Sequence, residues 1–486
     1  DYISTTDKSY FNGSFQIKNL NKYYISTDIN SKIDLREINT FFESTPFINM
    51  KGILSSNTKY SGILSFSENM RKHFLDAIHQ SSISIKDMEF QYMESPLVFG
   101  IQNLVGNINN NKISVENSSI TISDSDFKYQ GDITNLISYL LNESEKIVLN
   151  GNMESIYIRF DELMQITKIN SSKTKSTTTL PDWVELYLST QIKQFSYQYF
   201  IAEDLDLELS YSDYTLEAKE LEMSTLNGGI TGEAKFFEYP NNYLKLITSA
   251  HLEKINIRDL FTAFQNFGQE FIKDKHIKGV GTADIQLKSS WNPGFDFDPN
   301  KLELNSHLII EKGELVDFSP LLKLSSYVSV EELSNVKFST LENTIKISKN
   351  NINIPAMEIE SSALSVFVSG THNFDNEIDY RIRLLLSDLL SRKSREKNKS
   401  FDDEFGALID DDLGRTTLYL RMDGTSVDPN IYFDKIRIKE KIKKEVKKEK
   451  EEIKKIIKED ILKQKDTSTV KLDKNEEDIL LEWKDE

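Results

Sequence analysis

The chain has no cysteine, and that one absence removes disulfides, thiolate zinc sites, iron–sulfur clusters and cysteine nucleophiles together. It leaves the compartment open. Long apolar runs are missing as well: crossing a bilayer takes roughly 18 to 20 apolar residues, and the best stretch, Leu384 to Leu390, is broken by Ser387 and Asp388. No segment reads as a membrane-spanning helix. The chain begins at Asp1 without a charged and then apolar leader, so it reads as processed or truncated, which leaves room for an N-terminal anchor outside it.

Catalytic and metal motifs are scarce too. The histidines are His73, His79, His251, His276, His307 and His372, and no two stand three or four residues apart, the spacing that sets two ligands on one helical face. There is no G-x-S-x-G elbow and no phosphate loop; Gly228-Gly229-Ile230-Thr231-Gly232 lacks the following Lys and sits among strand residues. The run Asp410-Asp411-Asp412 lacks the alternating spacing of a calcium loop, and a pair such as Asp296 and Asp298 is unremarkable in an acidic chain. The sequence therefore reads as a non-enzyme with no cofactor or metal. A net charge of -18 argues against nucleic acid as a partner, because a polyanion calls for clustered Lys and Arg.

What is present is alternation. Leu205, Leu207, Leu209 and Tyr211, then Leu216 and Ala218, then Leu221 and Met223, place apolar residues at every second position. So do Ile113, Val115, Ile120 and Ile122, and later Ile345, Ile347, Ile352, Ile354, Met357, Ile359, Leu364, Val366 and Val368. A period of two sets one face of each strand against apolar matter and the other against water. A second pattern repeats on top of it, in which a strand meets a short polar step and then a short apolar helical stretch. It occurs at Ile33 to Ile38, Ile133 to Ile137, Ile158 to Leu163, Ile255 to Phe261 and Leu315 to Leu321. Gly131, Gly232 and Gly370 each come late in an alternating stretch and read as sheet bends or bulges.

The expected fold is mainly β with short helices: an elongated, twisted antiparallel sheet that grows by units and forms an apolar groove. A closed sandwich or barrel is the competing architecture. Residues 1–170 read as repeated β units and 171–180 as a Ser, Thr and Lys linker. Residues 181–433 read as a second β region. From Asp434 to the end at 486, Ile438, Ile442, Val446, Ile453, Ile456, Ile457 and Ile461 form one stripe of an amphipathic helix with basic flanks. That helix would dock on the sheet, lie on an anionic membrane surface or pair with a partner helix.

The last third carries a more specific signal. Gly313 to Leu321, Glu332 to Phe338, Ile352 to Ile359 and Val368 to His372 occur in one order, followed by Phe405-Gly406, Gly414 to Leu418 and Asp423 to Pro429. Together they resemble the C-terminal region of AsmA-like proteins, a family related to TamB and the bridge-like lipid carriers. The resemblance covers roughly residues 280 to 433. It implies a long groove that shields acyl chains, a periplasmic location with an inner-membrane anchor, and a part in outer-membrane lipid homeostasis. The family brings no agreed catalytic residues. On this reading the groove is lined by Ile113, Val115, Ile120, Ile122, Leu205, Leu207, Leu209, Leu216, Ile345, Ile347, Ile352, Ile354, Val366 and Val368, and the ligand is a phospholipid or another acyl lipid. The alternative is an envelope assembly scaffold that binds protein clients through its sheet edges without a lipid.

Overall fold

The structure is a computed structural model. It describes residues 1–19, 23–38, 47–63, 70–92, 95–141, 145–171, 180–239, 243–292, 296–318, 322, 334–360, 364–386, 409–411, 415–426 and 428–433. The C-terminal helix expected from Asp434 onward lies outside these residues, as do Phe405, Gly406, Asp412 and most of the linker between 171 and 180. The chain divides into a large unit, Asp1–Ile431, and a second unit, Tyr432–Glu486. The large unit is built mainly of β-strands.

Strands hold 74% of the described residues, and all of them belong to one long, twisted, open sheet. In chain order they are β1 (Tyr2–Thr5), β2 (Tyr10–Asn19), β3 (Tyr24–Asp34), β4 (Phe47–Ile63), β5 (Ile78–Tyr92), β6 (Val98–Asn109), β7 (Lys112–Ile122), β8 (Ser125–Thr134) and β9 (Ile147–Arg159). Then come β10 (Val184–Tyr197), β11 (Phe200–Ser212), β12 (Thr215–Thr225), β13 (Gly228–Glu238), β14 (Leu244–Asn256), β15 (Ile277–Asn292), β16 (Asp296–Phe297) and β17 (Glu303–Val316). The last are β18 (Asn335–Ser348), β19 (Asn351–Glu360), β20 (Leu364–Asn373), β21 (Glu377–Leu386), β22 (Ile409–Asp411), β23 (Arg415–Thr425) and β24 (Pro429–Phe433). From β1 to β15 each strand pairs with the next in sequence; β17 then pairs β15, and β16 forms a short hairpin on the end of β15. The tight turns Asp213-Tyr214, Leu226-Asn227 and Lys349-Asn350 have both residues at positive φ, the handedness that matches strand twist in a two-residue hairpin.

One pair departs from the antiparallel expectation. β9 and β10 run parallel, from Ile147 beside Val184 to Arg159 beside Ser196. A parallel step needs a crossover, which here carries the helix α3 (Phe160–Ser171) and the segment expected to be a linker. The strands before and after residues 171–180, β9 and β10, thus belong to the same sheet.

Helices α1 (Met70–Leu75), α2 (Leu136–Leu141), α3 and α4 (Ile257–Ala263) sit at strand ends. The strand directions place the turn Leu35–Glu37, α3 and α4 along one rim, and α1 and α2 along the other. The repeated polar steps are where strands stop. Asp34 ends β3 and accepts the Arg36 amide at 3.0 Å, and Asn256 ends β14 and accepts the Asp259 amide at 3.2 Å, each capping the turn after its strand. Arg159 ends β9 and is held by Asp124 at 2.7 Å and Glu162 at 3.0 Å.

Candidate functional site

Register defines the site. One row of directly paired residues crosses the sheet from β2 to β23: Phe11, Ser31, Ser56, Ile83, Gly106, Val115, Gly131, Gly151, Leu188, Leu209, Ala218, Ala234, Thr248, Leu287, Leu304, Ile347, Ile352, His372, Ile378 and Gly424. Paired residues share a face, and no Asp, Glu, Lys or Arg stands in the row. One residue along, on the opposite face, the row reads Asn12, Asn30, Asn57, Ser82, Asn107, Ser114, Asp132, Asn150, Tyr187, Ser210, Glu217, Lys235, Ile247, Lys288 and Glu303. This second face is held by solvated cross-strand pairs such as Lys235–Glu217 at 2.6 Å and Lys112–Asp132 at 2.7 Å. The sheet is thus two-faced along its length.

Keeping one face apolar over strands this long requires phase corrections, and the strands carry them as β-bulges. Asn49, Asp87, Asp204, Glu220, Lys254 and Lys312 lie inside strands at φ between 47 and 56°, and each sits at a register shift. A bulge inserts one residue and bends its strand. It lets Ala218 and Leu221 share a face although their spacing is odd, and the shift between Val115 and Ile120 does the same in β7. Five of the six fall in the half of their strands nearer the rim of α3 and α4, and Glu220 stands at the middle of β12.

Among the residues read as groove lining, Ile113, Val115, Leu205, Leu207 and Val366 are buried, and Ile120, Ile122, Leu209, Leu216, Ile345, Ile347, Ile352, Ile354 and Val368 are half-buried. None is exposed. Ile113, Val115 and Leu188 cluster with Tyr129, and Ile158 and Ile192 with Leu205 and Leu207. Gly131, Gly232 and Gly370 lie on this face beside bulges in the preceding strands, paired with Val115, Leu221 and Ile354. Their role is close approach: a Cβ on Gly232 would come 2.2 Å from the Ser249 carbonyl, and one on Gly370 would come 2.2 Å from that of Asp379.

Where polar groups reach the apolar face they are mostly matched to each other. Ser31 and Ser56 hydroxyls pair at 2.8 Å, and Ser81 donates to Thr58 at 2.6 Å. Burial pushes the Tyr129 hydroxyl up to about 12, and raises Tyr211 and Tyr380 as well, as expected where water is excluded. Thr190 Oγ1 and His372 Nε2 are buried there with no hydrogen-bond partner among the described residues. Shelter fades toward the first edge, where Phe15 is 57% exposed and Ile17 41%. The polar face has a shallow hollow of about 330 Å³ between β8 and β11, in which Lys193 pairs with Asp204 at 2.9 Å and Asp126 accepts the Tyr157 amide at 2.7 Å.

Among the described residues no group of three His, Asp or Glu side chains is placed to hold a metal, and no helix is long and apolar enough to cross a membrane. Comparison with protein-family models, with curated proteins and with solved structures finds no match.

Proposed function

We propose that the apolar face is a groove that shields lipid acyl chains, and that the protein carries or holds phospholipid in the bacterial periplasm in support of the outer membrane. The observation that carries this reading is the uncharged row from Phe11 to Gly424. An enzyme site needs convergent polar groups at one place, whereas this face is uniform from strand to strand. Acyl chains ask for nothing more, since each methylene taken from water gains roughly 0.8 kcal/mol whatever it touches. Burial on this face occurs without a second sheet among the described residues, which supports a curled, groove-like surface. The periplasmic location and the inner-membrane anchor in this reading rest on the resemblance to AsmA-like proteins.

The test is to purify the chain gently and identify co-purifying phospholipid by mass spectrometry. Bound phospholipid is the expected result, and changing Leu205, Leu207 and Leu209 together to Asp should abolish its crosslinking in a folded protein. A lipid-free protein, or unchanged crosslinking in that variant, sinks the reading.

A scaffold reading is favoured by one observation. β1 covers β2 only from Tyr10 to Gly13, leaving Phe15 and Ile17 exposed along an open strand edge to which a client strand could add. On that reading the crosslinked partner is a polypeptide rather than a lipid.

A further inference from the structure

The segment Gln269–His276, between α4 and β15, forms a strap that meets the apolar face through one ring. Phe271 is its point of insertion. The ring is 8% exposed, stacks on Tyr380 of β21 at 5.4 Å and 11°, and meets Phe318 and His372 edge-on at 5.1 and 5.6 Å. Sequence puts these residues far apart, and the Phe271 ring joins the segment before β15 to β20 and β21. His372 is 4% exposed, and its Nε2 has no hydrogen-bond partner among the described residues.

Residues 269–275 are fastened to each other, to α4 and to the turn after it, while the His276 carbonyl accepts the Val316 amide of β17 at 2.9 Å. Gln269 Oε1 accepts the amides of Phe271 at 2.7 Å and Ile272 at 2.9 Å, while its Nε2 donates to the Ile272 carbonyl. Asp274 donates its amide to Asn266 Oδ1 at 2.7 Å, and Arg258 of α4 donates to the Asp274 carbonyl at 3.2 Å. Among the described residues, the hydrogen bonds of 269–275 run within the strap or to α4 and the turn after it. That turn holds Gln265, Asn266, Phe267 and Gly268 in succession at φ of 50, 55, 55 and 68°, a strained geometry that suits a hinge. Lifting the strap costs the Phe271 ring contacts, which an acyl chain replaces in kind, together with the Val316 amide bond to the His276 carbonyl at 2.9 Å and the ties of Asp274 to Asn266 and Arg258.

We propose that Phe318, His372 and Tyr380 form an acyl-chain subsite of the groove, and that Phe271 is the plug that fills it until the strap swings out. The inference rests on the lipid reading and adds a gate to it. In the plugged state His372 Nε2 is left unpaired; a lipid seated there brings ester oxygens to that end of the face.

The test uses the full chain and phosphatidylcholine carrying a fluorescent acyl chain, with binding measured by fluorescence and strap opening by hydrogen exchange of amides 269–276. Phe271→Ala should bind the probe about five- to tenfold more tightly than the unaltered chain, because the population penalty of opening is removed. Probe binding should speed strap exchange in the unaltered chain. Gln269→Ala, which loosens the strap without touching the ring, should shift affinity in the same direction and covers the case in which Phe271→Ala does not fold. If the unaltered chain binds the probe but the folded variants bind it equally and strap exchange stays constant, the plug is overturned and the groove stands. If neither the chain nor its variants bind the probe, both readings fall.

Discussion

The Tyr129 hydroxyl lies over Gly131, two residues along the same strand, and donates to the Asp132 carbonyl at 2.8 Å. A Cβ on Gly131 would meet that hydroxyl at 2.9 Å, the Asn150 carbonyl at 2.3 Å and Gly151 Cα at 2.6 Å. Two of these obstacles are backbone and cannot rotate away. Gly131→Ala should therefore cost about 1–3 kcal/mol, as overpacking of a close-packed site does, read from the urea midpoint. A midpoint equal to that of the unaltered chain would show that β8 and β9 have room to part.

His372 gives the sheet a definite pH response. Burial holds its pKa below the ordinary 6.5, and burial does the same for His276, helped by Lys275 and Lys273. Both rings are kept neutral when folded, while the unfolded chain takes up protons near pH 6.5. The unfolded state then binds more protons, so stability is fully present above about 6.5 and is lost as pH falls toward the folded pKa values. Urea midpoints from pH 7.5 to 5 should decline in the unaltered chain and decline less in His372→Leu. Parallel declines would mean that His372 does not carry the effect.

Much of the fold was legible in the sequence, and the limits have physical causes. Alternation in β11 or β20 marks strands because a half-buried strand has no other period. The bulges left a trace as well: Val115 to Ile120 and Ile354 to Met357 slip phase by one residue, which a straight strand cannot do while keeping one face apolar. Strand direction left none, since Leu186 and Leu188 would look the same beside a parallel or an antiparallel neighbour. Phe271 was invisible for a similar reason. It stands alone in an irregular segment, and its partners His372 and Tyr380 lie about a hundred residues on, beyond the reach of any local pattern.

Asp34 should dominate acid sensitivity at the first part of the rim. The Arg36 guanidinium beside it holds its carboxyl down to about 2 from the usual 3.8. Its Oδ1 accepts both the Arg36 amide at 3.0 Å and Nε at 2.8 Å. A depressed folded pKa means the stabilisation is present above 3.8 and lost as pH falls through 2. Asp34→Ala should cost about 1 kcal/mol at pH 7, the usual size of a lost cap, and the difference should shrink by pH 2. Thermal midpoints at pH 7, 3 and 2 measure this. A constant gap would point to packing of the carboxyl rather than its charge.

The bulges make a sharper claim, because they assign a backbone role to residues whose side chains look ordinary. Glu220 sits at φ 50° in β12, where the register slips between Ala218 and Leu221. Left-handed backbone costs a residue with a Cβ roughly 1–2 kcal/mol and costs glycine nothing. Glu220→Gly should thus be neutral or stabilising by up to about 1 kcal/mol, against the rule that glycine weakens strand interiors. Glu220→Ile, a good strand residue elsewhere, should destabilise by more than about 1 kcal/mol because a β-branched side chain fits that conformation badly. Urea midpoints of the two variants, compared with the same changes at Glu222 two residues on, decide it. If glycine weakens and isoleucine strengthens at both positions, β12 has no bulge at Glu220, and Leu221 and Met223 leave the apolar face.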